Sequence, residues 1–318
     1  MAEIGKDIAK AKTLLEEGKL VAIPTETVYG LAANALDVQA VTKIFKVKDR
    51  PYFDPLIVHV SDAGAIINYS VQVPAKAKLL IDLFWPGPLT VLLEKKGKIP
   101  DLVTSGLDRV GLRCPNHPLT RQLLKSLAFP LAAPSANPFG YISPTRPEHV
   151  NDQLGNKIEY ILDGGECNVG IESTIIGFDN DQVIIYRVGG LSVEAIESVA
   201  GKVIINAPSA AHLNLPGQLL SHYAPRKPLV VGSIDKLLEK HFSNSIGVLT
   251  FQKKYHAEVI KKQIVLSTSG NLEEAAQKLF SAMREMDQSG VDLILAEEVP
   301  NVGLGRAIND RLRRASHK

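Results

Sequence analysis

The sequence predicts an α/β protein in two unequal parts, and three observations carry that reading. Short apolar runs of strand length recur along the chain, separated by amphipathic segments of helical period. A proline-bearing stretch without periodicity, residues 207–228 (APSAAHLNLPGQLLSHYAPRKP), interrupts them. After it strand and helix alternate regularly, as in a small parallel sheet; before it strands dominate and the alternation is irregular. The expected organisation is a first domain over 1–206, a linker or lid over 207–228 and a smaller parallel α/β domain over 229–318. A length of 318 residues suits roughly two domains and a core that needs no metal or disulfide staples.

The elements follow in order. Residues 4–18 put Ile8, Ala11, Leu14 and Leu15 on one helical face. LVAIP is a strand ended by Pro24, and VQAVTKIFKVKDRP a helix that stops before Pro51. PLIVHV is a buried strand; AKAKLLIDLF is a helix broken by the prolines of WPGPLT. VLLEK, RVGLRC, FPLAAP, IEYILD, STIIGF and VIIYRV are strands, with the short helix PLTRQLLKSL among them. Beyond the linker, PLVVG, SIGVLTF, QIVLS and DLILA are strands, and SIDKLLEKHF, NLEEAAQKLFSAMREMDQ and RAINDRLRRAS are helices.

Composition narrows the function. The 36 basic and 34 acidic residues leave a net charge of +2, too balanced for a nucleic-acid coat, though a local basic groove stays open. Cys114 and Cys167 are too few for a disulfide framework and read as buried thiols of a reducing compartment. The first twenty residues hold no signal-type apolar stretch, and no run reaches about 18 apolar residues. A cytoplasmic protein without membrane attachment is expected. The chain has no Walker-type phosphate loop, no H-E-x-x-H and no G-x-S-x-G. GLG at 303–305 is better explained by helix–strand packing than by a dinucleotide.

Six segments carry candidate chemistry. PTETVYG (24–30) sets Thr25, Glu26, Thr27 and Tyr29 after a strand, equally a ligand-facing strand end or a capped turn. KVKDRP brings Lys48 and Arg50 two residues apart; extended, they would face one anion, and otherwise they offset a helix dipole. His59 inside LIVHV reads on its own as a core histidine. Arg109 and Arg113 bracket RVGLR, and a strand-embedded arginine is rarely buried without an anionic partner. APSANPFGYISPT supplies Ser135, Asn137, Ser143 and backbone N–H groups suited to phosphate or ribose oxygens, or to a plain loop. Glu172 and Ser173 lead one strand, and Arg187 ends another. Lys48, Arg50, Arg113 and Arg187, all taken to lie at strand ends, suggest one polyanion pocket with few carboxylates, for ATP-like phosphates and a small carboxylate.

Taken together, PTETVYGL, KVKDRP with PLIVHV, VGLRCPNHP, APSANPFGYISPT, GIESTII, YRVGG, PGQLLSHYAP and GLGRAINDRLRRA resemble, in order and spacing, the YrdC-type threonylcarbamoyl-AMP synthases in their long form. The resemblance covers almost the whole chain. It implies a YrdC-like twisted mixed sheet with a concave basic pocket and a Rossmann-like C-terminal domain. It implies formation of threonylcarbamoyl-AMP and pyrophosphate from L-threonine, bicarbonate or CO2, and ATP, with magnesium on the phosphates. The product would pass to a tRNA threonylcarbamoyl transferase, which modifies the adenosine next to the anticodon. By the same resemblance Lys48, Arg50, Ser135 and Asn137 form the nucleotide tetrad, and Asp54, Arg109, Ser143, Arg187 and Tyr223 face ATP. Thr27, His59, Arg113, Ala133 and Ser173 surround L-threonine, with Arg113 on its carboxylate. Asp54 and Arg109 depart from the family's usual residues at their positions. Two rivals stand beside this reading. One is a non-catalytic RNA-binding module using the same pocket, with weak RNA binding as its milder form. The other is a carbamoyl-transfer enzyme, whose acylphosphatase-like or zinc-finger segments this sequence lacks.

Overall fold

The computed structural model describes residues 1–205, 222–241 and 245–317. Most of the segment expected as a linker or lid, 207–221, lies outside the described residues. In chain order the first strands are β1 (Glu3–Gly5), β2 (Val21–Ile23), β3 (Gly30–Asn34), β4 (Ile57–His59), β5 (Leu89–Glu94), β6 (Arg109–Arg113), β7 (Leu131–Ala132), β8 (Tyr160–Leu162), β9 (Thr174–Asp179), β10 (Gln182–Arg187) and β11 (Ile204–Ile205). They form one sheet in the order β1-β8-β2-β3-β7-β4-β6-β5-β9-β10-β11. The sheet is mixed: β4 pairs β6 in parallel, while β7 and β5 run antiparallel to β4 and β6. The remaining strands, β12 (Leu229–Val231), β13 (Ile246–Thr250), β14 (Ile260–Val265) and β15 (Leu293–Ala296), make a second sheet in the order β12-β15-β13-β14 with every pair parallel. A large mixed sheet followed by a smaller parallel one is the α/β class expected.

The helices are α1 (Ile8–Glu16), α2 (Val38–Lys48), α3 (Ala75–Phe84), α4 (Asp101–Thr104), α5 (Pro118–Ser126), α6 (Pro147–Leu154), α7 (Val193–Ala200), α8 (Ile234–Lys240), α9 (Leu272–Gln288) and α10 (Gly305–Ser316). Local chemistry fixes several ends. Asp7 and Asp37 cap α1 and α2 by accepting from the backbone of Lys10 and of Gln39 and Ala40. Asn271 does the same for α9 through Glu274 N–H. The Asp7 cap also corrects the expected helix over 4–18, because Glu3–Gly5 instead pairs with β8. Strand β3 was not expected: GLAAN is too short and too rich in alanine to show a period. Helices α4, α6 and α7 correct the reading of the first part as poor in helices.

Of the five apolar clusters among the described residues, two are largest. The larger packs α2, α3 and α7 residues such as Ile44, Leu80 and Ile196 against the first sheet. The second does not stay within the parallel sheet. It joins Leu279, Phe280 and Met283 of α9 to Val28, Ile142 and Ile171 from the loops of the first part. Polar contacts follow the same seam. Arg284 donates to Ile142 O, Tyr141 OH to Asp287 at 2.5 Å, and Thr145 and Ser281 share a hydrogen bond of 2.9 Å. Among the described residues no helix is long and apolar enough to cross a membrane.

Gly170 marks how close this seam is. Its φ is +77°, and a Cβ there would lie 2.4 Å from Gln277 Cα on α9. Gly170→Ala should therefore destabilise the protein by roughly 1–3 kcal/mol through backbone strain and overpacking. Urea unfolding of the variant checks this, and a midpoint equal to that of the parent chain would contradict it.

Candidate functional site: a buried cationic cluster

Helix α2 ends at Lys48 because Asp49 turns into the left-handed region (φ 53°). The aliphatic stem of Lys48 is buried, and its ammonium donates to Ser135 O at 2.6 Å and to Asn137 O. Phe139 N–H donates back to Lys48 O at 2.8 Å, so the helix end and loop 134–143 form one unit. Arg50 lies just past the reversal. It donates to Asp54 O at 2.9 Å and Pro55 O at 2.8 Å, and pairs with Asp54 Oδ1 at 2.9 Å. These two cations thus stand at the end of the helix expected to stop before Pro51, which corrects only their grouping with the arginines at strand ends. The same loop receives both, since the Arg50 guanidinium lies 5.9 Å from the Phe139 ring centroid.

A second group gathers around Arg113 at the end of β6. Its Nη2 pairs with Glu26 at 2.8 Å and donates to Thr27 Oγ1 at 2.9 Å, drawing the β2–β3 loop onto this strand. Glu26 also accepts from Asn116 N–H at 2.9 Å. His59, at the end of β4, stands opposite Arg113 in the strand register. Its Nδ1 is buried and has no partner among the described residues.

A third group joins the parts of the chain. Arg187, ending β10, donates to Ser173 O at 2.9 Å and Ser173 Oγ at 3.1 Å, and Ser173 Oγ shares a bond with Thr90. Ser143 donates to Glu172 Oε1 at 2.5 Å. The other oxygen of Glu172 pairs with Arg311 Nε of α10 at 2.9 Å. The Arg311 guanidinium lies 5.1 Å from the centroid of the Tyr223 ring, and His222 packs edge-on to that ring. Tyr223 holds a φ of 64°, unusual for a bulky residue, and its hydroxyl has no partner among the described residues.

The remaining expected residues fall as follows. The Ala133 N–H donates to Ile57 O, and the Asn137 amide donates to Pro138 O and Tyr141 O, leaving its buried Oδ1 without a partner among the described residues. Arg109 is not gathered with the others. It begins β6, at the opposite end of that strand from Arg113, where its Nη1 approaches Phe178 O at 3.5 Å. His222 and Arg311 join the cluster without having been expected in it, and Glu26 and Glu172, which lay in candidate segments without an assigned role, join as partners of arginines. Four carboxylates, Glu26, Asp54, Glu172 and Asp310, each sit on an arginine of the cluster, against the expectation that such groups would be few. The spacing of α10 carried a signal for Arg311, which lies on the stripe of Ala307, Ile308, Leu312 and Ala315 and not on a solvated face.

Burial governs the electrostatics. It pushes the Lys48 ammonium well below its ordinary pKa, with Arg50 adding to the fall and Asp54 opposing it. It raises the Asp54 carboxyl while Arg50, Lys48 and Arg187 pull it back. It lowers His59 to about 3, helped by Arg113, and lowers His222 well below the usual imidazole value, helped by Arg50, Lys48, Arg311 and Arg187. Both rings are neutral near pH 7. Chemically, five buried cations (Lys48, Arg50, Arg113, Arg187 and Arg311) face four carboxylates (Glu26, Asp54, Glu172 and Asp310), and that excess suits a polyanion.

The fold and this cluster define an α/β protein with a buried cationic cluster on a mixed sheet. Comparison with known proteins gives the family. A model of the Sua5, YciO and YrdC proteins, described as "Telomere recombination", matches residues 13–189. A second, described as "Threonylcarbamoyl-AMP synthase, C-terminal domain", matches residues 191–317. The chain is similar to the threonylcarbamoyl-AMP synthase of Pyrococcus abyssi, 41% identical over 96% of this chain and 93% of that protein. It is similar to that of Bacillus subtilis, 40% identical over 97% and 92%. Among solved structures it resembles P. abyssi Sua5 complexed with L-threonine, with TM-score 0.91 and 39% identity over 99% of this chain and 97% of that one. The chain belongs to the Sua5/YciO/YrdC family.

The two buried imidazoles set a pH dependence. The unfolded chain protonates histidine near pH 6.5, whereas folded His59 does so at about 3. Between those values the unfolded state binds more protons, so stability falls as pH drops below about 6.5 and is unaffected by His59 above it. The slope should be on the order of 1.4 kcal/mol per pH unit for each such histidine. Urea midpoints at about pH 5 and 7.5 should show this loss, and His59→Gln should reduce it. Equal losses in both proteins would contradict the assignment.

Proposed function

We propose that the protein is a threonylcarbamoyl-AMP synthase, a nucleotidyl-transferring enzyme that uses L-threonine, bicarbonate or CO2, and ATP, and releases pyrophosphate. The observation that carries this is the juxtaposition of two anion-suited groups. Lys48, Arg50 and Arg187 suit the phosphates, and Arg113 with Thr27 and neutral His59 suits a small carboxylate with polar substituents. The names of the P. abyssi and B. subtilis relatives, and the L-threonine complex of P. abyssi Sua5, support the reading.

In this reaction the free amine of threonine attacks carbon dioxide and gives up a proton to water, leaving a carbamate. A carbamate oxygen attacks the α-phosphate, and the bond to pyrophosphate breaks. No protein nucleophile enters, so the protein acts by positioning and charge stabilisation. Arg113 would release part of its hold on Glu26 to take the threonine carboxylate, and Ser173 and Ala133 would border the amino acid. Lys48, Arg50, Ser135, Asn137, Ser143, Arg187 and Tyr223 would border ATP. The position of Arg109 favours no such contact.

Magnesium fits the same site through one protein atom. Asp54 Oδ2 is buried without a hydrogen-bond partner among the described residues, and magnesium commonly takes one or two carboxylates with the rest of its shell from phosphate and water. Asp54 would hold the ion, which neutralises phosphate charge when bound. Among the described residues no group of three or more His, Cys, Asp or Glu suits a metal. An RNA-binding module is less well supported, because the cations are buried and not spread over a surface. The tRNA destination of the product and a cytoplasmic setting belong to the same proposal.

Pyrophosphate release from ATP, with magnesium and bicarbonate, tests it across a panel of amino acids. Release should need both L-threonine and bicarbonate, with partial activity on serine, since one methyl discriminates by only about 1–3 kcal/mol. Lys48→Ala or Arg50→Ala should lower turnover by on the order of a hundredfold. ATP turnover indifferent to threonine would remove the synthase reading, and parent-like rates in both variants would remove their assignment.

A further inference from the structure

The last helix of the chain contributes the most deeply buried arginine of the cluster. Arg311 is 0% exposed, on the apolar stripe of α10. Its guanidinium is clamped on two sides. Nε pairs with Glu172 Oε2 at 2.9 Å, and Nη1 donates to Val188 O at 3.0 Å and Asp310 Oδ2 at 2.6 Å. Glu172 is itself held by Ser143, and Asp310 by Arg314. The third nitrogen, Nη2, is buried and has no hydrogen-bond partner among the described residues. A guanidinium donor left unpaired in the interior is costly, and its usual partner is an anionic oxygen.

The surroundings say where that oxygen belongs. Val188 follows Arg187, the cation that ends β10, and Glu172 precedes Ser173, which Arg187 holds. Arg311 thus grips the residues flanking the Arg187–Ser173 contact. Its guanidinium also lies against Tyr223, whose hydroxyl is likewise without a partner among the described residues. The groups around this corner are therefore Arg187, Glu172, Asp310, Tyr223 and the neutral ring of His222.

We propose that Arg311 is the C-terminal domain's own ligand-binding residue in the site, with Nη2 donating to a phosphate oxygen of the polyphosphate. The inference rests on the synthase reading for the identity of that polyphosphate, and it makes the C-terminal domain part of the binding chemistry. Glu172, Val188 and Asp310 orient the fork, so a lysine, which keeps the charge without the fork, does not replace it.

Calorimetric titration of the full chain with inorganic pyrophosphate, and separately with L-threonine, tests this. Arg311→Lys should weaken pyrophosphate binding by about tenfold or more, the share of one charge-assisted hydrogen bond. L-Threonine affinity should stay within about twofold of the parent value, which also reports that the fold is intact. Unchanged pyrophosphate affinity overturns the proposal, and so does an equal loss for both ligands, which marks a purely structural arginine. If Arg311→Lys does not fold, Glu172→Gln serves instead. Its amide oxygen still accepts from Nε while the competing negative charge is gone, so pyrophosphate should bind several-fold more tightly, and no change or weaker binding overturns the proposal. Failure of the synthase reading is separate: it shows as a parent chain without threonine-dependent pyrophosphate release, whatever Arg311 does.

Discussion

Everything in this structure defers to the cost of keeping five cations out of water. Moving a charge into a protein interior costs several kcal/mol unless a partner and hydrogen bonds offset it. The five meet that requirement in three ways. Arg50, Arg113 and Arg311 each hold a carboxylate, Arg187 is set on Ser173, and Lys48 is set on the carbonyls of Ser135 and Asn137. The carbonyl partners matter because they bring no charge. They satisfy the ammonium geometrically and leave its field for a ligand. A cluster neutralised one for one would have nothing to offer a polyanion; this one keeps a positive excess in a medium where little water screens it.

That constraint also explains why the chain folds as it does around the site. No single strand or helix could carry five buried cations and their partners. They arrive from the end of α2, from β6 and β10, from the loop after β7 and from α10, so the mixed sheet serves as the plane on which remote segments are brought into register. The parallel sheet is tied in by the same logic. Its core accepts Val28, Ile142 and Ile171 from the loops that bear site residues, so apolar packing and the Arg311–Glu172 pair act on one seam. Loosening either would shift the loops that hold Ser143 and Thr27.

Much of this was legible in the sequence, and the parts that were not have physical causes. Long amphipathic helices such as α2 and α9 show their period plainly, and the parallel sheet follows from regular alternation. Lys48, Arg50, Arg113 and Arg187 stood out because a cation beside an apolar run needs a reason. Their partners did not. Glu26 reads in sequence equally as a ligand-facing strand end or a capped turn and Glu172 as the lead of a strand, and only the fold brings Glu26 to Arg113, 87 positions away by number, and Glu172 to Arg311. Short elements escaped for a different reason. GLAAN and the three-residue β1 owe their strand character to hydrogen bonds with neighbours, not to any pattern of their own. Arg109 shows the converse, since residue type and strand position suggested a site, and the length of β6 carries it to the far end.

The neutral groups complete the argument. A site made only of cations would bind any polyanion and favour none. Here burial holds His59 and His222 neutral beside those cations and keeps the Tyr223 phenol protonated, with its pKa raised to about 12. These groups hydrogen-bond without adding charge, so they discriminate by shape and donor pattern where the cations supply strength. Each is also next to a cation that lowers its pKa, Arg113 for His59 and Arg311 for Tyr223, the second against the burial that raises it. Charge and neutrality in this site therefore have one origin. The burial that makes the cations strong also keeps their neighbours uncharged, and opening the seam to water would weaken both at once.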